Sequence, residues 1–115
     1  MRGRKVAILL GMVTAALSAW TQPSQNAQWA EFGNAMHTMH ASMAAVHPSG
    51  DGDVDFVHLM LPHHQAAIDM AKLQLLQGKD PQMRRLAQEI ITDQQSEIEL
   101  MRLWLKQHGP QKEKP

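Results

Sequence analysis

The sequence contains no cysteine and no tyrosine, and only two phenylalanines and three tryptophans in 115 residues. The absence of cysteine excludes a disulfide framework, a thiol nucleophile and the lipid-modified cysteine of a bacterial lipoprotein anchor. Long hydrophobic runs are also missing: the apolar stretch from Val6 to about Leu17 falls short of the roughly 20 residues that cross a membrane. No strand pattern and no internal repeat occurs. Neither HExxH nor the ExxH of di-iron bundles is present, and there is no Gly-rich phosphate loop. Ser24, Ser42, Ser49 and Ser96 lack any recognisable catalytic context. A chain of this length holds one compact domain. Its stability must come from helix packing, from bound metal or from association with another copy.

The N-terminus reads as an export signal. Arg2, Arg4 and Lys5 precede the apolar stretch, and small residues follow it. Residues 1–19 are therefore expected to be a signal peptide, cleaved after Ser18 or Ala19, which implies a periplasmic or secreted protein with no membrane span in its mature form. An uncleaved N-terminal anchor is the alternative. Removing the three basic residues of this segment leaves eight basic against eleven acidic residues, a net charge of −3 with histidine neutral. Nucleic-acid binding wants clustered Lys and Arg and is not expected.

The rest divides into three amphipathic segments. Residues 20–28 are read as a polar leader and 29–108 as a helical domain, with helices at about 28–46, 53–77 and 81–107 and a disordered tail at 109–115. In the first helix Trp29, Phe32, Met36, Met39 or His40, Met43 and Val46 recur at steps of three and four. "HPSGDGD" (His47–Asp53) breaks the pattern. The second helix carries Phe56, Met60, His63, Ala67 and Met70 on one stripe, with Asp53 as a candidate cap and a kink or fresh start expected at Pro62. In "GKDP", Gly78 stops that helix, Asp80 caps the next and Pro81 opens it. The third helix keeps Met83, Leu86, Ile90, Gln94, Glu97, Met101 and Trp104 in register. The expected fold is all-α: an antiparallel up-down-up bundle of three long helices, which a second copy could complete.

Chemistry concentrates in methionine and histidine, seven of each lying after residue 19. His63 and His64 are adjacent and project about 100° apart on a helix, with Met60 within one turn and Met70 two turns beyond. Two histidines satisfied at a helix interface is the plain reading, and a metal-ligand pair is the sharper one. In the first helix Met36, His37, Met39, His40 and Met43 present thioether and imidazole groups within two turns. Thioether suits Cu(I), and imidazole suits Cu, Zn and Ni. Gln94 and Glu97 interrupt an apolar stripe, so a buried carboxylate facing a buried imidazole is expected, orienting the ring as carboxylates do behind metal-bound histidines. "DGDVD" (Asp51–Asp55) lacks the length and closing Glu of a calcium loop.

The stretch Phe56–Leu105, with "MLPHHQAAIDMA", the acidic-Pro turn, "LAQEII", Gln94, Glu97-Ile98, Met101 and Trp104, closely resembles the domain-of-unknown-function 305 family, whose better-known members are CopM-type periplasmic copper proteins. The resemblance implies a ferritin-like helical bundle, export, and binding of copper or silver through Met and His. Carried over by position, it implies roles for Met60, His63, His64, Met70, Gln94, Glu97 and Met101. The resulting expectation is a non-catalytic copper-binding protein for tolerance, buffering or delivery. Cu(I) is favoured over Cu(II) or Ag(I), and a copper-handling protein is a candidate partner. The competing expectation is a structural or interaction module whose His–Gln–Glu network only fixes packing. A redox enzyme is disfavoured, since no open ligand set of a known type is present.

Overall fold

The computed structural model describes residues 25–109, and the expected signal peptide and residues 110–115 of the tail lie outside them. Three helices make up the described chain: α1 (Gln25–Ala44), α2 (Gly52–Gln77) and α3 (Pro81–His108). They run up, down and up, with no strand among the described residues. The first helix begins inside the expected polar leader, because "QNAQ" offers no breaker before Trp29. No fresh start occurs at Pro62: α2 is unbroken through it, and Pro62 merely fails to donate to the carbonyl one turn back.

Each boundary has a local cause. Asp51 caps α2, its carboxylate accepting from Asp53 N at 2.9 Å and Val54 N at 3.3 Å. Asp80 caps α3 by accepting from Met83 N at 2.9 Å, with Pro81 in the first turn where no N–H is required. Gly78 closes α2 without a left-handed conformation. Its N–H reaches Gln74 O at 2.8 Å, and a Cβ there would stand 2.4 Å from that oxygen, so any larger residue would open the turn. Arg84 locks the same turn by donating to the carbonyls of Leu75 and Gly78. In the first loop Gly50 adopts φ +89°, a conformation that favours glycine.

α2 is the central helix. Both α1 and α3 pack on it, and they make no close approach to each other. The most buried side chains among the described residues are Val54, Val57, Ala66, Ile68 and Ala71 from α2, with Ala87 and Ile98 from α3. The inward row of α1 is Phe32, Ala35, Met39 and Met43, all half-buried, and Gln77 ties α2 to α1 by donating to Glu31 at 2.5 Å.

The predicted stripes need correcting here. Trp29, Met36, Phe56, Met83 and Leu86 are exposed, as is His63. Of these, Met83 and Leu86 border a gap that α1 and α3 leave beside α2. A groove of about 400 Å³ runs along it, lined by Phe32, Met70, Met83, Leu86 and Ile90 among others. Elsewhere on α2, hollows are bordered by Asp69, Lys72, Gln95 and Glu99.

The first turn of α2 carries Asp55, whose carboxyl reaches back to the preceding loop. The Ser49 side chain and the Ser49 N–H, which donates at 2.8 Å, hold Asp55 below its ordinary value of 3.8, helped by the nearby charge of His58. A depressed carboxylate stabilises the fold above its unfolded pKa, and the contribution is lost as pH falls through the folded one. Asp55→Asn should therefore make the decline in melting temperature between about pH 5 and pH 3 shallower than in the parent protein.

Candidate metal site

His64 sits where α2 faces α3. Its Nδ1 lies 2.9 Å from Met60 O, and since a carbonyl only accepts, Nδ1 carries a proton. Its Nε2 meets Glu97 Oε2 of α3 at 2.5 Å. Both nitrogens of His64 are thus engaged, one along its own helix and one across the interface.

The expected carboxylate–imidazole pair therefore exists, with its burial corrected. The His64 side chain is 14% exposed and that of Glu97 is 56% exposed. No polar side chain is fully buried among the described residues. Glu97 reaches the ring from the edge of the α2–α3 seam, so its outer oxygen keeps contact with water and the desolvation cost of a buried charge is avoided. Gln94, half-buried one turn earlier on α3, makes no hydrogen bond to either histidine, so the expected three-membered network reduces to the His64–Glu97 pair.

His63 behaves differently from its neighbour. It is exposed, its ring centroid lies 6.2 Å from that of His64 at an interplanar angle of 59°, and no protein group hydrogen-bonds to it among the described residues. The adjacent pair is therefore split into a ring that ties two helices together and a ring turned toward the open face.

The thioethers fall into three places. Met60 and Met101, both half-buried, lie one turn from His64 and from Glu97 on helices that run antiparallel. One step back along α2 and one step forward along α3 bring them to the same level beside the pair. Met70 lies in the apolar groove with Phe32 and Met83, two turns from His63. On α1, Met39 lies in a small hollow beside Pro62 and Ala66, Met43 is half-buried, and Met36, His37 and His40 are exposed. Because α1 and α3 lie on different sides of α2, the α1 cluster does not meet Glu97 or Met101. Among the described residues no three His, Asp or Glu side chains are placed to hold a metal ion together. Any metal site built from these residues must therefore draw on methionine sulfur.

One contact was not anticipated. His108 stacks on Trp104, with centroids 4.7 Å apart and planes 16° from parallel, and its Nδ1 lies 3.1 Å from Trp104 O. The i, i+4 spacing of a Trp and a His at a helix end was the available signal.

If the His64–Glu97 contact ties α2 to α3, alanine substitutions at the two positions should be non-additive. The expected coupling is about 1 kcal/mol, typical of a partly exposed ion pair with good geometry. His63→Ala should change stability by less than about 0.5 kcal/mol. Chemical denaturation of the four proteins of the cycle, together with His63→Ala, measures both. Additive single substitutions would contradict the tie.

Comparison with known proteins places this geometry in a family. An uncharacterized protein of Acanthamoeba polyphaga mimivirus is 43% identical over 49 residues, which is 43% of this chain and 32% of that protein. The chain thus spans about a third of the length of that relative. The family described as domain of unknown function (DUF305) matches residues 53–115, which takes in α2 and α3 with the His64–Glu97 pair and leaves α1 outside. With more than half of its length matched, the chain belongs to the DUF305 family.

Proposed function

We propose that this is an exported soft-metal binding protein that takes up Cu(I), with Ag(I) as a chemical mimic and Cu(II) as a weaker fit, for copper tolerance, buffering or delivery. The observation that carries the reading is the His64–Glu97 contact, which sets half-buried Met60 and Met101 each one helical turn from it in the same direction, with the exposed His63 ring on the neighbouring residue. Thioether sulfur is a soft donor that suits Cu(I), and imidazole complements it.

His64 has a positioning part in this reading. It holds α2 and α3 in the register that sets Met60 opposite Met101, while His63 supplies the nitrogen. Met36, His37, His40 and Met43 on α1 form a second, more exposed group of soft donors, suited to weaker capture or to handing the ion to a copper-handling partner. The basic start and short apolar run of residues 1–19 support export. Nothing in the donor set provides the open coordination position of a redox catalyst, and the proposed activity is binding.

A second reading, a structural or interaction module, is favoured by one observation: the apolar groove along the open face of α2. Metal chemistry separates the two. An anaerobic Cu(I) titration against a competing chromophoric chelator should show tight binding by the parent protein. The Met60→Leu/Met101→Leu double variant, which keeps side-chain volume, should bind at least about tenfold more weakly, a loss of about 1.4 kcal/mol or more. His63→Ala should weaken binding near neutrality, because it removes the imidazole donor while leaving both thioethers in place. Unchanged affinity in the double methionine variant would remove the proposed site.

A further inference from the structure

We infer that the indole of Trp104 closes the soft-metal site beside Met101, one ring face turned to the bound cation and the other held by His108. This rests on the metal reading proposed for Met60, Met101 and His63. To that site it adds a donor of another kind, an aromatic π face.

The inference starts from a stack that neither the helix packing nor the His64–Glu97 pair requires. His108 lies flat on Trp104, with centroids 4.7 Å apart and planes 16° from parallel. Its Nδ1 is 3.1 Å from Trp104 O, and since a carbonyl only accepts, this nitrogen donates. The imidazole is thus held at two points, by its face and by its edge. An i, i+4 aromatic pair at a helix end is often no more than local packing. Here, however, His108 is exposed and Trp104 only half-buried, so the contact sequesters little surface. What it does is fix the tilt of the indole.

Position along the helix says what that tilt serves. Glu97, Met101, Trp104 and His108 recur at steps of four, three and four, which keeps them on one side of α3. Side chains on a helix lean toward its N-terminus. His108 therefore meets Trp104 from the C-terminal side, and the other ring face looks back over the turn that carries Met101. The proposed site lies at that turn: Met101 is one turn beyond Glu97, and Met60 one turn before His64. No lysine or arginine stacks on the indole among the described residues, so no side-chain cation already fills this face. Arg102, the basic residue nearest Met101 in sequence, lines a separate hollow with Lys72 and Glu99.

Chemistry selects the ion. Indole is the best of the aromatic side chains at attracting a cation, and the attraction grows where water has been shed. Thioethers favour a soft ion, Cu(I) or Ag(I), and they bring no charge of their own. A π face three residues from one of the two sulfurs can then cover a side of the ion that would otherwise stay in water.

Ag(I) titration of the full chain carrying Trp20→Phe and Trp29→Phe, which leaves Trp104 as the sole tryptophan, tests this. Trp104 emission should be quenched and should level off at the same stoichiometry as the Met60 and Met101 methyl NMR signals. Adding Met60→Leu and Met101→Leu to that background should abolish the quenching. His108→Ala, which frees the indole to tilt, should shrink it, and His108→Phe, which can still stack, should restore it. Trp104→Leu should bind Ag(I) about fivefold more weakly than the parent, and Trp104→Phe, which keeps a π face, should recover part of the loss. Should Trp104→Leu fail to fold, the emission series decides, because it leaves position 104 intact. Constant emission while both methyl signals shift would overturn the inference and leave the metal reading standing. So would a folded Trp104→Leu protein that binds Ag(I) as the parent does. If the methyl signals also stay in place, the metal reading falls and this inference falls with it.

Discussion

The arrangement depends on the bond between His64 and Glu97. α2 has to serve two neighbours, and α1 and α3 do not brace each other. The α2–α3 seam is built largely from small and β-branched residues, which pack closely but resist sliding only weakly. A directional contact of 2.5 Å between a ring on one helix and a carboxylate on the other fixes the offset that those residues leave loose. Nδ1 is committed to the Met60 carbonyl, so the ring cannot turn without giving up one bond to keep the other. Register follows, and with it the level at which Met60 and Met101 stand.

This bond also separates the tasks of two adjacent residues. On a helix, neighbours point about 100° apart, so His63 and His64 could never share one environment. His64 falls on the seam and becomes part of the framework. His63 falls on the open face, where its imidazole is available to a ligand. A framework ring next to an available ring is a compact way to hold a binding group steady, because the supporting contact lies one peptide unit away.

Much of the fold was readable because helix punctuation is local. Asp80, Pro81 and Gly78 announce a stop and a start within four residues, and each does so by a contact inside that stretch. The Glu97 partnership was also readable, since a carboxylate interrupting an apolar stripe demands a donor. Exposure was not. Periodicity identifies an apolar stripe without saying what covers it, and Phe56, Met36 and His63, which recur on those stripes, are exposed. Gln94 stands apart from the histidines for a related reason. A polar residue in a seam looks like a network member until the distances show that Glu97 alone reaches the ring. The α1 donors were correctly seen to share one helix, but their separation from Met101 depends on α1 and α3 choosing different sides of α2, which no local pattern encodes.

The central claim, that a soft ion is held by Met60, Met101 and His63 while His64 stays in the framework, is tested most directly by residue-resolved NMR of the methionine methyl groups and histidine rings during Ag(I) addition. The Met60 and Met101 methyl signals and the His63 ring signals should move together and saturate at the same stoichiometry. Met70 and Met83 in the groove and the His64 ring should hold their positions. Shifts that begin at His64, or that appear in the α1 methionines with Met60 and Met101 unmoved, would contradict it.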